Sequence, residues 1–281
     1  MTEDTKHLKL LANTIRQDIV TMLTEAKSGH PAGSLGLADV FAALYFNTLK
    51  HDAKKPDWPE RDRFVLSNGH VCPVLYASLA CAGYFPKEML MTLRKLGSPL
   101  QGHPHRGALP GIENSSGPLG QGISQAVGMA LVAKREARAW RVYSVMGDGE
   151  MNEGQVWEAL LLAAKYKLNN LVAIIDRNNI QIDGTTDDVL PLDPLADKLR
   201  SFGWNALEID GNSMEAVLGA LGSAKTEAGR PTAIIAKTIS GKGVSFMEGK
   251  FEWHGKTPNP EQAAQAIKEL NDARTALEAA P

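Results

Sequence analysis

Leu8, Leu11, Ile15, Ile19, Met22 and Leu23 recur at the spacing of one helix face, which predicts a first helix ending near Lys27-Ser28-Gly29. A Gly/Pro loop, "SGHPAGSLG", follows, and a second helix is expected from about Leu35. "DRFVLSNGH" reads as a short strand, Phe64 to Leu66, running into a polar loop. Residues 71 to 83 form an apolar stretch that predicts a helix ending at Gly83. Residues 97 to 118 are rich in glycine and proline, and a loop of that length inside a compact fold tends to be functional. "LGQGISQAVGMALVAKREAR" is then helical, with small residues along one face.

From Arg141 the pattern alternates. "RVYSVMG", "NLVAIID", "NALEID" and "PTAIIAKT" read as strands; "EGQVWEALLLAAKYK", "LDPLADKLRSFG" and "SMEAVLGALGSAKTE" read as the helices between them. Near-continuous apolar strands alternating with helices predict an α/β fold, a parallel sheet covered by helices on both faces. Ligands in such sheets bind at the carboxyl ends of the strands. A polar helix is expected from Pro260 onward, and residues 1–281 read as one domain without repeats or low-complexity linkers.

Composition narrows the function classes. The chain of 281 residues is 43% hydrophobic and 22% charged with a net charge of −2, so no basic excess favours nucleic acid or an anionic membrane. Apolar runs such as "ALLLAA" are too short to span a bilayer, and the polar start "MTEDTKHLKL" holds no apolar signal core. Cys72 and Cys81 form no CxxC pair and read as buried free thiols. A cytoplasmic protein is the expectation.

The chemistry gathers at "VMGDGEMNEG", residues 145 to 154. Three glycines there mark a backbone that bends or is closely approached. Asp148 follows a strand directly and favours a cation, while the free N–H groups of the helix that starts near Glu153 or Gly154 favour an anion. A site wanting both suggests a metal-bound phosphate or diphosphate. The next strand ends in "RNNIQIDG", which brings Asn178 and Asn179 beside Asp148 if the two strands are neighbours. A carboxylate, an amide oxygen and a loop carbonyl are hard oxygen ligands of the kind magnesium takes. A lone GDG is most often an ordinary turn; GDG followed at this distance by NN, each on its own strand end, is far more specific.

The stretch from "GDGEMNEGQVWEALLLAAKYK" to "RNNIQIDG" closely resembles the diphosphate-binding half of transketolases. "SGHPAGSLG" (28–36), "DRFVLSNGH" (62–70), "GHP" (102–104), residues 116 to 132 and "KTISGKG" (237–243) extend the resemblance over nearly the whole chain. It implies thiamine diphosphate with Mg2+, or another divalent ion such as Ca2+ or Mn2+. Asp148, Asn178 and the carbonyl of Ile180 would hold the ion. His70 and His254 would contact the diphosphate, with the main chain of Gly149. Gly117 and Leu119 would approach the aminopyrimidine. His30 and His103 would face the thiazolium and the substrate hydroxyls, and His254 is counted with them as catalytic. Glu153 and Glu158 match acidic positions at the family's subunit interface. Histidine suits this work because ketol transfer moves protons near neutral pH.

Transketolases continue into a pyrimidine-binding domain, which supplies a glutamate for cofactor activation, and into a third domain. The resemblance therefore implies the N-terminal subunit of a split transketolase, joined in an α2β2 assembly by a separate C-terminal subunit, with sugar phosphates as substrates. Two other readings stay open: a transketolase-like subunit for a branched or sulfonated sugar, and a non-catalytic scaffold or regulatory subunit. A nicotinamide-binding fold fails on motif, since no strand leads into GxGxxG.

Overall fold

The computed structural model describes residues 3–182 and 184–280; Met1, Thr2, Asp183 and Pro281 lie outside it. Helix α1 (Glu3–Ala26) leads into two short helices, α2 (Pro31–Gly36) and α3 (Ala38–Ala43). The second helical region thus begins at Pro31 rather than Leu35, because proline at a first helical position needs no N–H partner. Strand β1 (Arg63–Leu66) is followed by α4 (Cys72–Cys81), after which Gly83 turns the chain with φ +84°. The loop predicted over 97 to 118 carries the chain to α5 (Gln121–Arg135).

The alternation then proceeds through β2 (Val142–Gly147), α6 (Gly154–Lys165) and β3 (Leu171–Arg177). A small hairpin, β4 (Ile180–Gln181) with β5 (Gly184–Thr185), precedes α7 (Thr186–Val189) and α8 (Leu195–Ser201). Strand β6 (Asn205–Asp210), α9 (Met214–Thr226), β7 (Thr232–Lys237) and α10 (Pro260–Ala279) complete it. Helix α10 starts where the sequence places it because Asn259 and Gln262 cap each other reciprocally ahead of the first turn.

The main sheet is parallel, in the order β1-β2-β3-β7-β6. Its strands divide their side chains between two cores. Phe64, Leu66, Tyr143, Val145, Val172, Ile174 and Ile234 join a core with α1, α3, α4 and α9. Val65, Val142, Met146, Ala173, Ile175 and Ile235 join the other, with α5, α6 and α8. Connections between parallel strands are right-handed, so the step from β6 back to β7 sends α9 to the face opposite α6. Both faces are covered, as the apolar runs of the strands require. Cys72 is buried and Cys81 half-buried, both as free thiols, so full burial holds for the first of the two alone.

Gly122 shows how tightly α5 sits on the end of β1. A Cβ there would fall 2.5 Å from the Ser67 Oγ and 2.6 Å from the Ser67 Cα, and the Gly122 N–H already donates to that Oγ at 3.0 Å. Helix propensity alone favours Gly→Ala by about 1 kcal/mol. Overpacking against backbone reverses the sign, so Gly122→Ala is expected to lower stability by about 1–3 kcal/mol in chemical denaturation. An unfolding midpoint at or above the wild type would show that α5 moves away freely.

Candidate active site

Pairing β2 beside β3 sets Gly147 opposite Asp176, and the Asp148 N–H donates to the Asp176 carbonyl at 3.1 Å. The two strand ends are therefore neighbours, as the sequence spacing required. A cavity of about 350 Å³ opens over them. Every residue singled out from sequence for the site lines it: His30, His70, His103, Gly117, Leu119, Asp148, Gly149, Asn178, Ile180 and His254. Glu153 and Glu158 lie outside it, exposed at the start and on the flank of α6.

One wall is imidazole. His30 is the extended residue just before Pro31, His70 sits in a 3-10 turn after β1, and His254 ends the turn Phe251–Trp253. Their ring centroids stand 5.1 Å (His30–His70), 5.4 Å (His30–His254) and 5.2 Å (His70–His254) apart. Burial disfavours the charged form of each, and mutual repulsion among the rings adds to it for His30 and His70. His30 is pushed down to about 4 and His70 to about 3; His254 is lowered by burial. His103 is exposed on its loop, with its ring against Gly117, and is lowered by burial and then by the Arg94 charge.

A second group of lining residues is acidic. The Asp148 carboxylate accepts from the Gly149 N–H at 2.8 Å and from the Asn179 N–H at 2.7 Å. Burial still pushes its pKa up against those bonds. The Arg177 guanidinium also donates to Asp148, at 3.2 Å, and reaches Asp187 and Asp193. Asp176, buried behind, is pushed up to about 7 by desolvation and by the Asp148 charge, against the Thr238 hydroxyl that donates to it. The Asn178 side chain donates its NH2 to Asp176 at 2.8 Å, which fixes the orientation of the amide and leaves its oxygen on the other side, accepting from the Ile180 N–H at 2.9 Å.

Sequence reasoning missed three of these groups. Glu150, to which the sequence assigned no role, is buried and accepts from the Ser67 hydroxyl, the Gly120 N–H at 2.7 Å and the Gly147 N–H at 3.1 Å. Asp176 could have been found as the one acidic residue closing an otherwise apolar strand. Nothing in the sequence signals Arg177 as the partner of Asp148. Among the described residues, no group of three His, Cys, Asp or Glu side chains is arranged to hold a metal, and no helix is long and apolar enough to cross a membrane.

The family model described as transketolase, thiamine diphosphate binding domain, matches residues 7–273. The chain belongs to the transketolase family. It is 44% identical over 270 residues to a 6-deoxy-6-sulfo-D-fructose transketolase subunit of Clostridium sp. (strain MSTE9), covering 96% of this chain and 98% of that subunit. It is 41% identical to an apulose-4-phosphate transketolase subunit of Phocaeicola vulgatus, with 96% of each chain covered. Against human transketolase it is 42% identical, but covers 42% of that longer chain. Among solved structures, Leishmania mexicana transketolase superposes with a TM-score of 0.86 at 32% identity, over 96% of this chain and 46% of that one.

The residues present suit a transketolase's thiamine diphosphate. His30 Nδ1 and Asn68 Oδ1, both lining the cavity, are buried without a hydrogen-bond partner, and a bound group can satisfy them. Neutral imidazoles on one wall offer donors to an anion; glycine backbone at 147 and 149 permits its close approach.

Site-specific NMR titration of the imidazole C2–H signals checks the histidine wall. His30 and His70 are expected to stay neutral down to about 4 and 3, against an ordinary 6.5. The unfolded chain takes up those protons first, so the pair's contribution to stability is lost as pH falls from 6.5 towards the folded values. Asp176 acts in the opposite sense, with a folded value of about 7 against 3.8, which is why the resolved signals and not a melting curve are read. Titration of all seven histidines near 6.5 would contradict the wall.

Proposed function

We propose that this chain is the diphosphate-domain subunit of a two-component transketolase, moving a two-carbon ketol unit from a ketose phosphate or sulfonate to an aldose. The observation that carries this reading is the convergence of four histidines with Asp148 and Asn178 in one cavity over the strand ends. Coverage supports the split: the chain spans 98% of a separate subunit but 42% of a full-length transketolase. The remaining domains then belong to a second subunit, paired with this one as α2β2. The relatives named as subunits act on a sulfonated and a phosphorylated sugar, which points to an anionic ketose as donor. Residues 1–281 serve as one diphosphate-binding domain of a cytoplasmic enzyme of carbohydrate metabolism, the pentose phosphates included.

Mg2+ would be held by Asp148, the Asn178 amide oxygen and the Ile180 carbonyl, a hard oxygen set. The Asn178–Asp176 bond keeps the amide nitrogen turned away from the ion. His70 and His254 would face the diphosphate. Thiamine diphosphate supplies an electron sink that makes cleavage of the bond beside a ketone carbonyl feasible. His30 and His103 would accept and return protons at the sugar hydroxyls, and a bound anion beside the imidazoles raises their basicity towards the working range.

Tryptophan quenching by thiamine diphosphate, with and without Mg2+, tests the reading in the presence of the co-purified second subunit. Asp148→Ala is expected to abolish the metal-dependent part of binding. The absence of metal-dependent binding and of ketol transfer by the wild-type complex would overturn the enzyme reading; full activity of the variant would overturn the ligand assignment.

His103→Ala is expected to lower kcat by about two to four orders of magnitude, the usual worth of a proton-transferring group, with less than a tenfold loss in cofactor affinity. Equal losses in the two measurements would move His103 to the diphosphate.

A further inference from the structure

The proposed metal ligands Asn178 and Ile180 flank Asn179, whose backbone is left-handed with φ +58°. Asparagine tolerates this region better than most side chains, yet such a turn needs outside support to keep one geometry. The turn decides where the Asn178 amide oxygen and the Ile180 carbonyl lie relative to Asp148. Three groups converge on it. The Asn179 N–H donates to the Asp148 Oδ2 at 2.7 Å. The Arg177 Nη1 donates to the Asn179 Oδ1 at 3.2 Å, and the Thr186 hydroxyl donates to that same oxygen.

Arg177 is the member common to these contacts. Its Nη1 also donates to the Asp148 Oδ2 at 3.2 Å and to the Thr186 hydroxyl. Its Nη2 donates to Asp187 at 3.2 Å and to Asp193 at 3.3 Å. The side chain is only 9% exposed. One guanidinium thus ties the end of β2, the turn after β3 and the segment 186–193. That segment carries Val189 and Leu190 exposed, so apolar burial does little to hold it. The fork of an arginine suits a ring of five acceptors; a lysine ammonium has three N–H groups on one atom. Arg177 lies outside the lining of the inner cavity and lines a neighbouring hollow of about 620 Å³, with Asn178 shared by the two. It therefore reaches Asp148 from outside the cavity.

We propose that Arg177 is a positioning residue for the cation site: it sets the Asn178–Ile180 turn against Asp148, although its own charge opposes an added cation. The proposal rests on the metal diphosphate reading above. Charge and position predict opposite signs. Removing a positive charge beside Asp148 favours a cation by Coulomb's law, whereas releasing the turn moves the ligands out of register. Asp187 and Asp193 already offset the Arg177 charge, so position is the larger effect.

Mg2+ is titrated into the complex with its co-purified second subunit at saturating thiamine diphosphate, and half-saturation is read from tryptophan quenching. Arg177→Met is expected to raise the Mg2+ needed by about ten- to a hundredfold, the worth of one or two charge-assisted bonds. Arg177→Lys keeps the charge but loses the fork, and is expected to weaken binding by about threefold or more. Thr186→Val removes one support of Asn179 with every charge in place, and about a three- to tenfold loss is expected. Arg200→Gln removes a charge from the same hollow that pairs with Asp197 instead, and should stay within about twofold. Unchanged or tighter binding in Arg177→Met overturns the proposal.

A second readout needs neither metal nor activity. In the metal-free chain, amide exchange of the peptide carrying Asn179 and Ile180 is expected to be about tenfold faster in Arg177→Met, with the amides of α9 unchanged. Exchange equal to the wild type at that peptide overturns the proposal, and so does an equal acceleration throughout α9, which marks a general loss of structure. A wild-type complex that binds no thiamine diphosphate with Mg2+ defeats the functional reading instead, and the exchange still decides whether Arg177 holds the turn.

Discussion

Three segments of chain meet at the buried carboxylate of Glu150. The Ser67 hydroxyl reaches it from the end of β1, the Gly120 N–H from the entry to α5, and the Gly147 N–H from the end of β2. Ser67 in turn accepts from the Gly122 N–H, so the first turn of α5 is tied in twice. Desolvation pushes the Glu150 pKa up and these donors pull it back. Each donor left unpaired in such a place costs about 1–3 kcal/mol, so the cluster fixes its members' relative positions tightly. Those members carry the loops that hold His70, Gly117 and Asp148. The geometry of the cavity is therefore set in part by a buried carboxylate in its own lining.

On that support the cavity separates its charges. The imidazole wall is held neutral by burial, and the acidic wall has pKa values raised by burial at Asp148 and Asp176. Neither wall is at ease alone: each has been taken out of water, and each gains when a group of the opposite character arrives. An anion beside the histidines favours their charged forms; a cation beside Asp148 favours its carboxylate. The metal diphosphate proposed above would relieve both walls together. Arg177 gives Asp148 a partial counter-charge from behind, the side it shares with Asp187 and Asp193.

Much of this was legible in the sequence, for reasons that differ by residue. The strands β2, β3 and β7 announced themselves because strands buried on both faces are apolar throughout, whereas the half-exposed edge strand β6 showed by its place in the alternation of strands and helices. Asp148 and Asn178 could be placed together because a strand, a helix and a strand of known length return the chain to its starting end. The histidines were located through the family resemblance, since nothing in periodicity says that loops 28–30, 68–70 and 251–254 converge. The hairpin β4–β5 escaped because two-residue strands carry no period. Glu150 escaped because an acid in a Gly-rich turn looks solvated until the fold shows three donors closing on it. Gly122 read as a small residue on a helix face; its real constraint is the Ser67 backbone.

The two walls also arise by different routes, and this bears on where substrate selectivity can reside. The acidic wall comes from strand ends whose register is locked by the sheet, with Gly147 opposite Asp176 and Asp176 opposite Ala236. Such positions cannot shift by a residue without moving a whole strand's side chains to the wrong core. The imidazole wall and Arg94 come from loops, held by a few bonds such as Ser34 Oγ to the His30 carbonyl at 2.7 Å and Arg94 to Ser28 at 2.6 Å. Loops tolerate exchange of side chains that strand ends do not. The part of the site proposed to hold the metal is thus built into the sheet, while the histidines proposed to meet the diphosphate and the sugar lie on loops, where sequence can change without disturbing the core.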